Sequence, residues 1–218
     1  MKGVSIAMKR GTFVTFEGGE GAGKSTQAKL LVSELERRGV RVVHVREPGG
    51  TPLAETIRGI LKDNRGEAPC AEAETLLFLA ARAQLVRKTI LPALEEGAWV
   101  VSDRFGDSTL AYQGYGRGMP LPAIAAMNDF ACAGLKPDLT ILLDISPEDG
   151  GGRVRARSGA TGVEIDRMEL AGRDFHSRLR EGFLALAAGE KDRFAVIDAM
   201  RTVEEIRGEV WKSVSRFL

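Results

Sequence analysis

The stretch Phe16-Glu17-Gly18-Gly19-Glu20-Gly21-Ala22-Gly23-Lys24-Ser25-Thr26 constrains this chain more than any other. It fits the pattern G-x-x-x-x-G-K-[ST], with Gly18, Gly23, Lys24 and Ser25 at the fixed places. Residues 12–16 before it read as a short β-rich strand, and residues 27–38 after it read as a helix. Glycines let backbone N–H groups close around phosphate oxygens without Cβ clashes. The helix that starts there points its positive end at the anion. Lys24 adds a point charge for the outer phosphates, and the Ser25 hydroxyl can ligate Mg²⁺. A glycine-rich turn matching by chance would lack this strand–loop–helix context.

Short apolar runs alternate with helical stretches along the rest of the chain. Residues 40–45, 99–102, 139–144 and 194–198 read as four more strands. Residues 53–62, 71–91, 122–133, 169–188 and 203–217 read as helices, and Pro147 opens another. Pro92 interrupts the 71–91 helix and Gly97 ends its continuation. This alternation predicts an α/β fold: one parallel five-stranded sheet with helices on both faces. In such sheets sites form at the carboxyl ends of the strands. Segments 17–25, 46–51, 103–104 and 144–146 are therefore expected to face one crevice.

A chain of 218 residues is read as a single domain. With 44% hydrophobic and 28% charged residues it has an ordinary globular composition. A net charge of +1 argues against a nucleic-acid partner, so anion binding must come from local clusters. No apolar run approaches a membrane span, and the apolar stretch in residues 1–9 is too short for a signal peptide. Those residues are expected to be a loose extension, with Met8 an alternative start. Cys70 and Cys132 lack metal-type spacing and are read as packing residues of a cytoplasmic protein. His44 and His176 are read as structural.

Three further groups carry chemistry. Asp103-Arg104-Phe105 follows a buried strand; Asp103 holds the place where a carboxylate reaches Mg²⁺, and Arg104 can fork onto a phosphate. Asp103 to Gly106 also fits the D-x-x-G of GTPases, but no guanine-reading N-K-x-D accompanies it. Phe78 and Arg82 are four apart on one helix face. They could stack on a base and bond its edge, or Phe78 could simply be core. Arg153, Arg155 and Arg157 form a basic cluster between Gly150-Gly151-Gly152 and a second glycine-containing segment that suggests mobile hinges. If the cluster is helical, Arg153 and Arg157 share a face and Arg155 points away. It is either a solvated loop or a segment that closes over a transferring phosphate.

Together these segments resemble the bacterial type of the thymidylate kinase family. The match is carried by the phosphate loop, Arg46-Glu47-Pro48-Gly49-Gly50-Thr51, Leu77-Phe78-Leu79-Ala80-Ala81-Arg82, Asp103-Arg104-Phe105, Ala111-Tyr112-Gln113-Gly114 with Gly116-Arg117-Gly118, and Lys136-Pro137-Asp138-Leu139-Thr140. The resemblance implies a P-loop NTPase-type fold with a mobile lid over residues 148–166. It implies transfer of the ATP γ-phosphate to dTMP with Mg²⁺ held through Ser25 and Asp103, in a homodimer. It assigns Gly18, Gly19, Glu20, Gly21, Ala22, Gly23, Lys24, Ser25 and Thr26 to ATP. Glu20, Pro48, Phe78, Arg82, Arg104, Ser108, Tyr112 and Gln113 fall to the deoxynucleotide, with Phe78 on thymine and Arg104 on its phosphate. It assigns catalysis to Lys24 with Arg153 or Arg157. The Glu47-Pro48 bond resembles one often cis in this family. Gly150 to Gly152 depart from the family by replacing a more apolar helix start, costing about 0.5–1 kcal/mol each in helix propensity. The lid is also several residues longer before Asp166-Arg167.

Overall fold

The computed structural model describes residues 10–218; the expected N-terminal extension and the Met8 start lie outside the described residues. Five strands, β1 (Phe13–Glu17), β2 (Val42–Arg46), β3 (Trp99–Asp103), β4 (Leu139–Asp144) and β5 (Phe194–Asp198), form one sheet in the order β2-β3-β1-β4-β5. Every pairing is parallel. Phe16 and Arg46 both register with Asp103, Glu17 with Leu142, and Asp144 with Asp198. The carboxyl ends therefore finish along one line, with β1 in the middle. The chain first builds outward to β2 and then crosses to β4 and β5, so the crevice opens beside β1, where the order reverses.

Alternation along β1 assigns its residues to two cores. Val14 and Phe16 pack with Leu31 and Leu35 of α1 (Lys24–Arg37) and Val210 and Val214 of α9 (Val203–Val214). Phe13, on the other face, packs with Leu85, Ile90, Leu94 and Phe105. A further cluster joins Leu142 to Tyr112, Phe175 and Phe183, the last two on α8 (Arg173–Gly189).

Several local expectations are corrected. The first helix begins at Lys24, so the phosphate loop itself supplies its start. The 71–91 helix is α3 (Ala71–Leu85), which widens into a π-helical turn at Val86–Ile90 before α4 (Leu91–Glu95). Pro92, which has no N–H to give, sits just after that widening. Residues 106–116, to which the pattern assigned no element, are helical: α5 (Gly106–Thr109) runs into a π-helical stretch, Leu110–Gly116. Its glycines allow close packing, since a Cβ at Gly116 would sit 2.6 Å from the Phe175 ring. α6 spans Leu121–Cys132, and α8 starts at Arg173, four residues later than its pattern suggests. Cys132 is buried as expected, but Cys70 is exposed, and the Glu47-Pro48 bond is cis.

Candidate active site

β1 delivers the chain into a loop whose backbone only glycine tolerates at the critical points. Gly18 has φ 136°, and a Cβ there would lie 2.3 Å from the Leu143 carbonyl oxygen. Gly23, at φ 91°, heads α1. Lys24 is buried, and its Nζ donates to the carbonyl oxygens of Gly18 at 2.9 Å and Gly19 at 2.6 Å. Burial and the neighbouring Arg104 push the Lys24 ammonium down to about 8, against the pull of Glu20 and Asp103. The Ser25 hydroxyl donates to the Asp103 carboxylate. A hard hydroxyl and a hard carboxylate thus meet beside the loop, a donor set suited to Mg²⁺.

Asp103 ends β3, and the next residue turns sharply: Arg104 has φ 72°. Its N–H donates to the Phe16 carbonyl at 3.0 Å, and the following N–H, of Phe105, donates to Glu17 Oε1 at 2.7 Å. This left-handed turn sends the Arg104 guanidinium inward, where it donates to Glu20 Oε1 at 2.8 Å and lies 5.1 Å over the Tyr112 ring. The Tyr112 hydroxyl donates to the same Glu20 oxygen at 2.5 Å. Burial would raise Glu20, but Arg104, Lys24 and Tyr112 together hold it down at about 2. Glu17 goes the other way: burial, with Asp107 nearby, pushes it up to about 8 although Ser108 and Phe105 donate to it.

The aromatic side of the crevice is formed by α3 and the π-helical stretch. Phe78 is half-buried; it packs against Ala54, Ile57 and Leu61 of α2 (Pro52–Lys62) and also lines the cavity, so the core and binding readings both describe it. Arg82, 2% exposed, commits all five N–H donors to protein acceptors. Nε and Nη2 reach Glu47 Oε2 at 2.8 and 2.6 Å, and Nη2 also reaches the Phe105 carbonyl at 3.0 Å. Nη1 reaches Thr109 at 2.5 Å and Asn128 at 2.7 Å. Contact between this guanidinium and a base requires one of those bonds to be exchanged. The Ser108 hydroxyl donates to Glu17 at 2.5 Å, and Gln113 donates to Glu74 at 3.2 Å.

The lid region is a helix, α7 (Pro147–Thr161), capped by the Ser146 hydroxyl and continuous through Gly150, Gly151 and Gly152. These glycines are not a hinge between two elements. Gly150 is the point where α7 rests on the phosphate loop: a Cβ on it would lie 2.4 Å from the Glu20 carbonyl oxygen, and a Cβ on Gly21 would lie 2.4 Å from the Gly150 carbonyl oxygen. Helical spacing turns Arg153 and Arg157 to the cavity and Arg155 to a separate cavity between α7 and α8. Arg153 donates to the Ala199 carbonyl at 3.0 Å, and Arg157 to Glu169 at 2.6 Å.

These parts enclose a cavity of about 450 Å³, within the range of small-molecule sites. Segment 144–146, expected at this crevice, is not part of its lining; Ile145 and Ser146 line the cavity that holds Arg155 instead. Of the residues assigned a role in the site, Gly18 and Gly19 do not line it; they sit behind it, their carbonyls taken by Lys24. The remaining ones do: Glu20 to Thr26, Pro48, Phe78, Arg82, Asp103, Arg104, Ser108, Tyr112, Gln113, Arg153 and Arg157. Sequence reasoning gave no role to the buried carboxylates Glu17 and Glu74 or to the lining residue Arg58. Glu17 carried a signal, a carboxylate closing an otherwise apolar strand. Glu74, in the first turn of a helix, reads as an ordinary dipole partner.

The fold and the joined phosphate and aromatic pockets define a P-loop kinase of the nucleoside monophosphate class. A family model described as thymidylate kinase matches residues 16–210. A thymidylate kinase of Geotalea daltonii is 48% identical over 94% of this chain and 96% of its own, and one of a Bradyrhizobium species is 50% identical over 94% and 90%. The crystal structure of thymidylate kinase from Ehrlichia chaffeensis superposes with a TM-score of 0.74 at 33% identity, covering 94% of this chain and 99% of that one. This chain belongs to the thymidylate kinase family.

Proposed function

We propose that the protein transfers the γ-phosphate of MgATP to dTMP, giving dTDP for dTTP biosynthesis by both de novo and salvage routes in the cytoplasm. The observation that carries this reading is one cavity with two differently equipped ends: a main-chain phosphate cradle at Lys24, and a Phe78–Tyr112–Gln113 slot across from it. The loop and Lys24 hold the donor phosphates. Ser25 and Asp103 hold Mg²⁺, which neutralises phosphate charge when bound. Arg104 takes the acceptor phosphate, and the buried Tyr112 ring fills the space a ribose 2′-hydroxyl would need. Glu20, kept ionised by Arg104 and Tyr112, accepts from the sugar 3′-hydroxyl. Thymine stacks on Phe78.

The acceptor phosphate has a second pKa of about 6, so it is largely ionised at neutral pH and no general base is required. Catalysis is then positioning and charge neutralisation by Lys24 and the lid arginines Arg153 and Arg157. An arginine in this role is worth on the order of 10³–10⁵ in rate. Values of kcat within a few-fold of wild type in both Arg153→Ala and Arg157→Ala would remove the lid from the chemistry.

Assembly as a homodimer is supported by exposed apolar side chains on three neighbouring helices: Leu53 and Ile60 of α2, Leu76 of α3 and Phe130 of α6. The deciding experiment is ADP release across dTMP, thymidine, dUMP, UMP and dGMP. ATP turnover stimulated most by dTMP is expected; turnover indifferent to dTMP would end this reading.

A further inference from the structure

One buried carboxylate outside the phosphate machinery gathers the far end of the cavity. Glu74, in the first turn of α3, is 1% exposed. It accepts from Gln113 Nε2 at 3.2 Å and from Arg117 Nη2 at 3.1 Å, and Arg167 Nη2 stands 3.8 Å away. Both arginines are themselves fixed: Arg117 lies 5.3 Å over the Phe175 ring, and Arg167 donates to the Leu61 carbonyl at 2.9 Å. Two guanidinium groups therefore compensate this carboxylate, and it faces Gln113 as an acceptor.

An amide beside a carboxylate has one permitted orientation. The NH₂ end must face the acceptor, because the reverse would set two oxygens against each other. The other end, Gln113 Oε1, takes no hydrogen bond among the described residues, and Gln113 lines the cavity wall. The neighbouring donors are committed elsewhere: Arg82 to Glu47, Thr109, Asn128 and Phe105, Ser108 to Glu17, and Tyr112 to Glu20. The slot thus presents a fixed acceptor to whatever base lies on Phe78.

We propose that Glu74 is a positioning residue for base selection: by holding the NH₂ of Gln113 it locks Oε1 toward the base, so that the site accepts a ring N–H and rejects a ring nitrogen lone pair. Thymine and uracil carry such an N–H at N3; cytosine carries a lone pair there. This rests on the dTMP kinase reading above. A site built around a specific hydrogen bond rejects the mismatched partner strongly, by up to about 10⁴-fold.

The test compares kcat/KM for dTMP and dCMP in wild type, Glu74→Gln and Glu74→Asp, with Tm measured alongside. Wild type is expected to favour dTMP by at least about 10²-fold. In Glu74→Gln the side chain at 74 can face Gln113 with either end, so the amide is free to turn over. The dTMP/dCMP ratio should fall at least about tenfold, through a raised KM for dTMP, with the KM for ATP unmoved. Glu74→Asp keeps the charge for both arginines but draws it back by one methylene; its ratio should lie between the other two, and it carries the comparison alone if Glu74→Gln does not fold. An unchanged ratio in the folded variants, or equal losses with both acceptors that track Tm, overturns the proposal. Absence of dTMP-dependent ADP release in wild type would instead reject the kinase reading.

Discussion

Lys24 is a cation kept dry among backbone carbonyls, and its charge is more easily lost than that of a surface lysine. With its ammonium lowered to about 8 by burial and by Arg104, it is mostly charged at neutral pH and discharges as pH rises through that value. A bound phosphate favours the charged form, so ATP binding should draw in a proton above pH 8, and affinity should fall as pH rises. Titration calorimetry at pH 8.5 in two buffers of different ionisation enthalpy checks this; equal observed heats would refute it. The other decisive residues divide by how they became visible. Gly18, Gly23, Lys24 and Ser25 stand at fixed spacing, and Asp103 and Arg104 at a strand end, so their places could be read directly. Glu17 and Glu74 could not be assigned roles, because their partners, Phe105, Ser108, Gln113 and Arg117, arrive from distant segments only on folding.

At the scale of elements, the strands were readable as short apolar runs, and the crevice was readable at β1, β2 and β3, where polar, chemistry-bearing residues follow; the segment after β4 lines the neighbouring cavity instead. The helical extents were less readable. The widened turns at Val86–Ile90 and Leu110–Gly116 answer to packing against other elements, which local pattern does not encode. The glycine run of α7 reads as a flexible hinge because helix propensity alone penalises it. Only the approach of the phosphate loop shows that Gly150 has a steric purpose, whereas a Cβ on Gly152 would meet nothing within 4 Å. The two positions should therefore respond oppositely. Gly150→Ala should destabilise by about 1–3 kcal/mol through overpacking and lower kcat. Gly152→Ala should stabilise by about 0.5–1 kcal/mol. Urea unfolding of both variants decides it; the same sign of change in both would refute the assignment.

For the whole molecule, a net charge of +1 hides an uneven distribution: eight Lys and Arg side chains but five Asp and Glu line one cavity, even with Arg104 paired to Glu20 and Arg157 to Glu169. The most conspicuous apolar feature lies elsewhere. Phe130 is 88% exposed on α6, a helix that packs against α3, on which Leu76 is also exposed. If that face joins two copies, Phe130→Asp should shift the protein from dimer to monomer in light scattering, with little change in the Tm of the monomer fold. A wild-type protein that is already monomeric at high concentration would rule the dimer out.

The seam at Gly21 and Gly150 has one more consequence. With no side chain as padding there, main chain bears on main chain, and neither partner can shift without displacing the other. Under the proposed function, a triphosphate that displaced the loop at Gly21 would push on α7 at Gly150, and so on the helix that carries Arg153 and Arg157.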